Sequence, residues 1–222
     1  MFDIAVMVEP RLHKYLKPVI DNMLRNINEE IPIQIFHSKV NEQFLRNNYE
    51  ELINNKKIIL TLLENVINLT IRQYNLLLTS KEFWNKIDKE IILIFQTDSC
   101  VVRHMKLFDF TPYLDYGFIG APCRRPPWQN GGFSIRKKSL ALKAIESSKI
   151  KITYNEDKFF SYINNIICKT STYELGNAFS VEQYYNENPF GLHKAWKYLS
   201  KENWQALKNK FPEINLTFGS MQ

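Results

Sequence analysis

At 222 residues, with 45% hydrophobic and 23% charged side chains, the chain has the make-up of a soluble globular protein able to bury a core without disulfide staples. Lys and Arg total 29 against 23 Asp and Glu, a net charge of +6 that suits an anionic ligand. The charges are dispersed, apart from Arg124-Arg125, Arg136-Lys137-Lys138 and the C-terminal lysines, and no basic arm tracks along a helix, which argues against nucleic acid as the main partner.

The length fits one domain over 1–222. Cys100, Cys123 and Cys168 are odd in number and share no metal-ligand spacing, so they read as reduced thiols. There is no basic leader before the first apolar run and no stretch of about 18 apolar residues. The expectation is a cytoplasmic protein without a transmembrane helix.

Residues 2–8 form a short apolar run closed by Glu9-Pro10-Arg11, the pattern of a buried strand. Residues 18–31 place Val19, Met23, Leu24 and Ile27 at helical spacing, with Pro32 as the stop. A second strand is expected over 33–36. A helix over 41–55 follows, with Asn41 as its N-cap, and then a third strand over 57–63. This β-α-β-α-β order belongs to an open α/β sheet. Residues 71–85 read as one or two helices. Residues 90–96 are the strongest strand pattern in the chain and are expected at the sheet centre.

Beyond it, residues 116–121 read as a strand and 123–129 as a loop. Asn130-Gly131-Gly132 then precedes a short apolar strand pattern and a basic helix start. The chain has only seven glycines, and each costs folding entropy. Two together mark either a tight turn or a backbone kept bare for a ligand. Helices are expected over 139–148 and 156–167, and a last short strand over 177–182. Residues 189–196 look irregular, and a terminal helix is expected over 200–210 with Ser200 as its N-cap.

Ligands of open α/β sheets bind at the carboxyl ends of the strands. Two such ends carry polar residues: Glu9-Pro10-Arg11 after the first strand, and Thr97-Asp98-Ser99 after the central one. Asp98 there is a metal ligand, a base or a loop cap. Glu156-Asp157 opens a helix, where the dipole already favours carboxylates. His193 lies in a late segment of Gly, Pro and aromatics; His13, His37 and His104 share no spacing with it and read as solvated or structural. No glycine-rich phosphate loop and no nucleophile elbow is present.

Phe95-Gln96-Thr97-Asp98-Ser99, Tyr116-Gly117-Phe118-Ile119-Gly120-Ala121-Pro122, Asn130-Gly131-Gly132-Phe133-Ser134-Ile135-Arg136, Glu156-Asp157-Lys158-Phe159-Phe160 and Pro189-Phe190-Gly191-Leu192-His193-Lys194-Ala195-Trp196 occur in this order. Together with Val8-Glu9-Pro10-Arg11, they resemble a domain-of-unknown-function family of small GT-A-type glycosyltransferase-like proteins. The resemblance implies an α/β fold of nucleotide-diphospho-sugar transferase type, with a single central mixed, mostly parallel sheet flanked by helices.

It also implies an enzyme that moves a sugar from a nucleotide-diphosphate-sugar donor, a UDP-sugar first, to a hydroxyl of a glycan or other acceptor. Asp98 resembles the last Asp of the Asp-x-Asp motif that holds Mn²⁺ or Mg²⁺ on the diphosphate, and His193 the late His that completes that metal site. Glu9 and Arg11 fall where base and ribose bind. Thr97, Asn130, Gly131, Gly132 and Lys194 fall on the donor. A side chain at Gly131 or Gly132 is expected to hurt donor binding more than folding. Glu156-Asp157 resembles the acidic pair near the acceptor, with Asp157 as general base in an inverting displacement.

One departure stands out: Gln96 occupies the place of the first carboxylate of that motif, so Lys194, Arg124 or Arg125 is expected to supply some of the missing positive charge as a phosphate clamp. Gln96 also keeps alive the alternative of a nucleotide-sugar- or carbohydrate-binding protein without turnover. A sugar-phosphate nucleotidyltransferase is disfavoured, because no Gly-rich, Arg/Lys-containing loop follows the first strand.

Overall fold

The computed structural model describes residues 1–148 and 155–219. The first apolar run forms β1 (Ile4–Val8), buried throughout. Its alternate residues face opposite ways: Ala5 and Met7 join one core cluster, Ile4, Val6 and Val8 the other. Helix α1 (Leu16–Asn26) buries Leu16, Val19, Ile20 and Met23. It stops short of the expected 31 because the backbone turns extended at Ile27. Ile27 and Ile31 are still buried, so their spacing reflects burial from a turn rather than a further helical turn.

Strand β2 (Ile33–His37) is followed by α2 (Lys39–Asn54), which begins earlier than expected. Ser38 is the N-cap, accepting from the Val40 amide at 3.0 Å. Asn41, expected as the cap, is the third helical residue, and its side chain accepts from the Ser38 amide at 3.0 Å. The two make a reciprocal capping box. Strand β3 (Ile58–Leu62) leads to α3 (Ile71–Leu78) and α4 (Lys81–Asn85), separated at Thr79-Ser80 where Ser80 caps α4.

Strand β4 (Ile91–Phe95) is the expected strong strand, followed by the short β5 (Ser99–Val101), β6 (Phe118–Ile119) and β7 (Phe133–Lys137). Helix α5 (Lys138–Ser147) continues directly from β7.

The helix expected over 156–167 is interrupted. It splits into α6 (Glu156–Lys158), a π-helical stretch over Phe159–Ile163, and α7 (Asn165–Cys168). The Asn164 amide and side chain both donate to the Phe159 carbonyl, at 3.1 and 2.9 Å, which widens the turn. The strand expected over 177–182 is mostly helix: α8 (Tyr173–Phe179) starts on a Thr172 cap and leaves only β8 (Ser180–Val181). The segment read as irregular contains β9 (Gly191–His193) and α9 (Ala195–Tyr198). Ser200 caps α10 (Lys201–Lys210) as expected. That helix is not terminal, because Pro212 starts α11 (Pro212–Phe218), a position where proline lacks nothing the helix needs.

Six strands form one sheet in the order β3-β2-β1-β4-β7-β6. The first four run parallel, and β7 lies antiparallel to both β4 and β6. A second sheet, β5-β9-β8, pairs Ser99 with His193. Each face of the main sheet is covered by its own aromatic-rich cluster. Phe95, Phe133, Phe179 and Phe190 lie on one side, and Phe36, Trp84, Phe118 and Phe160 on the other. A fully buried side chain of this size contributes roughly 1.5–3 kcal/mol, so these clusters are the main source of stability. Among the described residues no helix is long and apolar enough to cross a membrane. All three cysteines are free and buried.

Candidate active site

The parallel strands β1 and β4 end on the same edge, and their carboxyl ends open into a cleft of about 360 Å³, within the range of small-molecule sites. Val8 to Arg11 and Gln96 to Asp98 form its floor. Asn68, Leu69, Ile71, Tyr74, Asn75, Asn130, Gly132, Asn155 to Asp157, His193 and Lys194 form its walls. The cleft therefore gathers every site residue expected from the sequence except Gly131. The arginines Arg124 and Arg125 are exposed and do not line it.

The loop after β1 is held from behind by α2. Ser38 Oγ donates to the Pro10 carbonyl at 2.6 Å, and Asn41 Nδ2 to the Glu9 and Arg11 carbonyls at 2.7 and 3.1 Å. The capping box thus also fixes the cleft floor. Glu9 is 4% exposed. Its Oε1 accepts from the Arg11 amide and Nε at 3.0 and 2.8 Å, and its Oε2 from Arg11 Nη2 at 2.8 Å. With the carboxylate occupied in this way, the half-exposed Arg11 is the freer of the two to meet a ligand.

His193 reaches the centre of the site through strand register. Antiparallel pairing of β5 with β9 sets it opposite Ser99, and the Lys194 amide donates to the Asp98 carbonyl at 3.0 Å. Its Nε2 lies 3.1 Å from Asp98 Oδ1 and 3.3 Å from Gln96 Oε1. Its Nδ1 is 3.7 Å from Glu182 Oε1. Burial would discharge the ring, but Asp98 and Glu182 override it and raise its pKa to about 9. Lys194, in a left-handed backbone conformation with φ 49°, places Nζ 3.0 Å from Asp98 Oδ2. Burial also opposes charge on Asp98, yet His193 and Lys194 hold its carboxyl well below the usual range.

The other wall is acidic. Arg136 and Glu156 form an ion pair with side chains 1% and 5% exposed, including Arg136 Nη2 to Glu156 Oε1 at 3.1 Å. Arg136 Nη2 also donates to the Gly131 carbonyl at 3.1 Å. Among the described residues the neighbouring Asp157 has no such ion-pair partner. Burial first, and then the Glu156 charge, raise its pKa to about 7, against the stabilising Lys158 amide and Arg136.

The glycine pair makes room for the chain's own side chains. A Cβ on Gly132 would stand 2.5 and 2.6 Å from His193 Cε1 and Cδ2. One on Gly131 would stand 2.5 Å from Glu156 Oε1. Real Cβ atoms do not approach that closely, so substitution here strikes the packing of the site before it strikes any ligand. Local sequence patterning gives no sign of these contacts.

Three residues of the site were not singled out by sequence reasoning. Tyr74 lines the cleft with a fully buried hydroxyl directed toward Gln96. Arg136 looked like part of a basic surface run. Only its place in Phe133-Ser134-Ile135-Arg136, on the same strand face as Ser134, hinted at burial. Glu182 follows a two-residue strand and gave no signal at all.

Among the described residues, no group of three or more His, Cys, Asp or Glu side chains is arranged to hold a metal ion. Asp98 and His193, the expected ligands, do meet. However, they are paired with each other, and Lys194 takes the second carboxylate oxygen. Glu182 faces the opposite edge of the imidazole, and Gln96 offers only a neutral amide oxygen. Hard divalent cations need several oxygen ligands at about 2.0–2.6 Å, and this donor set does not fit one.

An open, mostly parallel sheet with a polar cleft at its strand ends is the architecture of GT-A glycosyltransferases, and solved structures agree. The galactosyltransferase LgtC, in complex with donor and acceptor sugar analogues, is similar over 99% of this chain and 96% of its own, with a TM-score of 0.55 and 11% identity. The apo glycosyltransferase GlyE of Streptococcus pneumoniae TIGR4 is similar over 93% of this chain, with a TM-score of 0.54 and 12% identity; the chain spans 60% of GlyE. S. aureus TarS 1–349 in complex with UDP gives a TM-score of 0.51 at 12% identity, over 74% of this chain and 56% of its own.

At such identities the likeness establishes the fold: the chain has the GT-A-like nucleotide-diphospho-sugar transferase architecture. Residues 56–193 match the family described as "Protein of unknown function (DUF5672)", and the chain belongs to that family. No curated protein matches it by sequence.

Proposed function

We propose that the protein is a glycosyltransferase that moves a sugar from a nucleoside-diphosphate-sugar to an acceptor hydroxyl. The observation that carries this reading is Asp157, a buried carboxylate with a pKa of about 7. It stands in the same strand-end cleft as the cationic His193 and Lys194. A general base works best when its pKa lies near the operating pH, and a departing diphosphate needs positive charge beside it.

In this scheme Arg11, held by Glu9, takes the base and ribose. Thr97, Asn130 and the Gly132 backbone border the sugar. Asp157 accepts the hydroxyl proton as the acceptor oxygen bonds to the anomeric carbon. The bond from that carbon to the β-phosphate oxygen breaks, and its electron pair leaves on the phosphate. Glu156 is ion-paired with Arg136, and its charge still raises the pKa of Asp157, with Arg136 offsetting it in part. The UDP held by the similarly folded TarS makes a UDP-sugar the first donor to test. The scheme routes no step through a divalent metal, because the donor set does not fit one.

The test is release of nucleoside diphosphate from a panel of UDP-, GDP- and dTDP-sugars, with glycan acceptors present. Release from at least one donor, cut by Asp157→Asn while donor binding persists, supports the enzyme. Donor binding without release from any donor and acceptor pair would instead identify a nucleotide-sugar-binding protein. Loss of donor affinity in the Asn variant would place Asp157 on the donor rather than on the acceptor.

A further inference from the structure

The cleft places an ammonium group beside Asp98. Asp98 Oδ2 is 3.0 Å from Lys194 Nζ, and Asp98 Oδ1 is 3.1 Å from His193 Nε2. A metal at this point would have to displace Lys194 from its carboxylate partner Asp98 and would find a neutral amide at Gln96. Lys194 is held there by its backbone as well as its side chain. It adopts a left-handed conformation uncommon for a non-glycine residue, and its amide is bonded to the Asp98 carbonyl at 3.0 Å. Its side chain is 38% exposed and lines the cleft. An ammonium group has three donors, so one bond to Asp98 leaves two to offer.

We propose that Lys194 supplies the counter-charge to the donor diphosphate in place of a divalent cation. Asp98 is then a positioning residue that aims Lys194 and His193 rather than a metal ligand. The inference rests on the donor reading above and deepens it. Non-bridging phosphate oxygens accept from Nζ in the ground state. As the bond from the sugar to the β-phosphate breaks and charge builds on the leaving oxygen, the positive charge of the ammonium offsets it.

The experiment is calorimetric binding of UDP, GDP and dTDP to the purified protein, in EDTA and again with Mn²⁺. The expected result is binding of at least one diphosphate in EDTA, with affinity changed less than about threefold by Mn²⁺. Lys194→Gln should weaken that binding by about tenfold or more, as loss of a charge-assisted hydrogen bond requires. Lys194→Arg, which keeps the charge, should recover part of it. Melting curves of both variants show whether each is folded at the temperature of the measurement.

Binding that appears only with Mn²⁺, or EDTA binding unchanged in a folded Lys194→Gln variant, overturns the proposal and leaves the glycosyltransferase reading standing. Absence of binding to all three diphosphates under both conditions overturns the donor reading and this inference with it.

Discussion

Replacing Asp157 by Asn should make the protein more stable and less active, and the stability gain should depend on pH. The carboxyl is 9% exposed and lies beside the Glu156 charge. Moving it from its ordinary 3.8 to about 7 costs about 4 kcal/mol at high pH, at ~1.4 kcal/mol per pH unit. The sign follows from proton binding. Between pH 4 and 7 the folded state holds a proton on Asp157 that the unfolded chain has released, so stability falls as pH rises through that window and levels off above 7.

Asn keeps the shape and can still accept from the Lys158 amide, but it never ionises. At pH 8 the variant should recover about half or more of that cost, roughly 2 kcal/mol. At ~2–4 °C per kcal/mol for a chain of this size, that is a rise in melting temperature of about 4–8 °C. Near pH 4.5, where Asp157 is protonated in the folded state, the two proteins should melt within about 2 °C of each other. Thermal melts of both proteins at pH 4.5, 6 and 8 give the comparison. A difference that does not widen with pH would mean that the folded protein does not hold Asp157 in a costly ionised state, and the general-base assignment would lose its physical basis. In the same reasoning, sugar transfer by the unsubstituted protein climbs with pH through about 7, and the Asn variant lacks that climb.

Two further substitutions probe the walls of the cleft. Glu156→Gln leaves Arg136 buried without its ion-pair partner, so urea denaturation should show a loss of about 3–5 kcal/mol. The acidic limb of the transfer profile should also move to lower pH, because the charge that raises Asp157 is gone. Gly132→Ala drives a methyl group into the His193 ring, which should cost about 1–3 kcal/mol of packing; an unchanged melting temperature would show that the ring can step aside.

The parallel part of the main sheet was legible because β1, β2 and β4 are short, largely apolar runs closed by polar or proline punctuation, and burial on both faces demands that composition; β3 is half-buried but keeps the same punctuation. The smaller sheet was not. Strands β5, β8 and β9 have two or three residues each, too few for any period to show. They matter more to the site than their size suggests, since the Ser99–His193 pairing is what carries His193 and Lys194 to Asp98.

The charged residues divide along the same line. Asp98 and Asp157 could be singled out because they sit at a strand end and a helix start. Arg136, which composition assigns to the surface, is 1% exposed, and Glu182 is 2% exposed. A buried charge is tolerable only when it is paired, and here most partners are far apart in the chain: Arg136 with Glu156 and His193 with Asp98, Glu182 alone lying nearer to His193. Local patterning cannot register a cost that is offset by a residue twenty or a hundred positions away. Asp157 is the exception that makes the site interpretable. It is the buried carboxylate beside an ion pair that has already been satisfied, so its charge is left for a substrate proton to cancel.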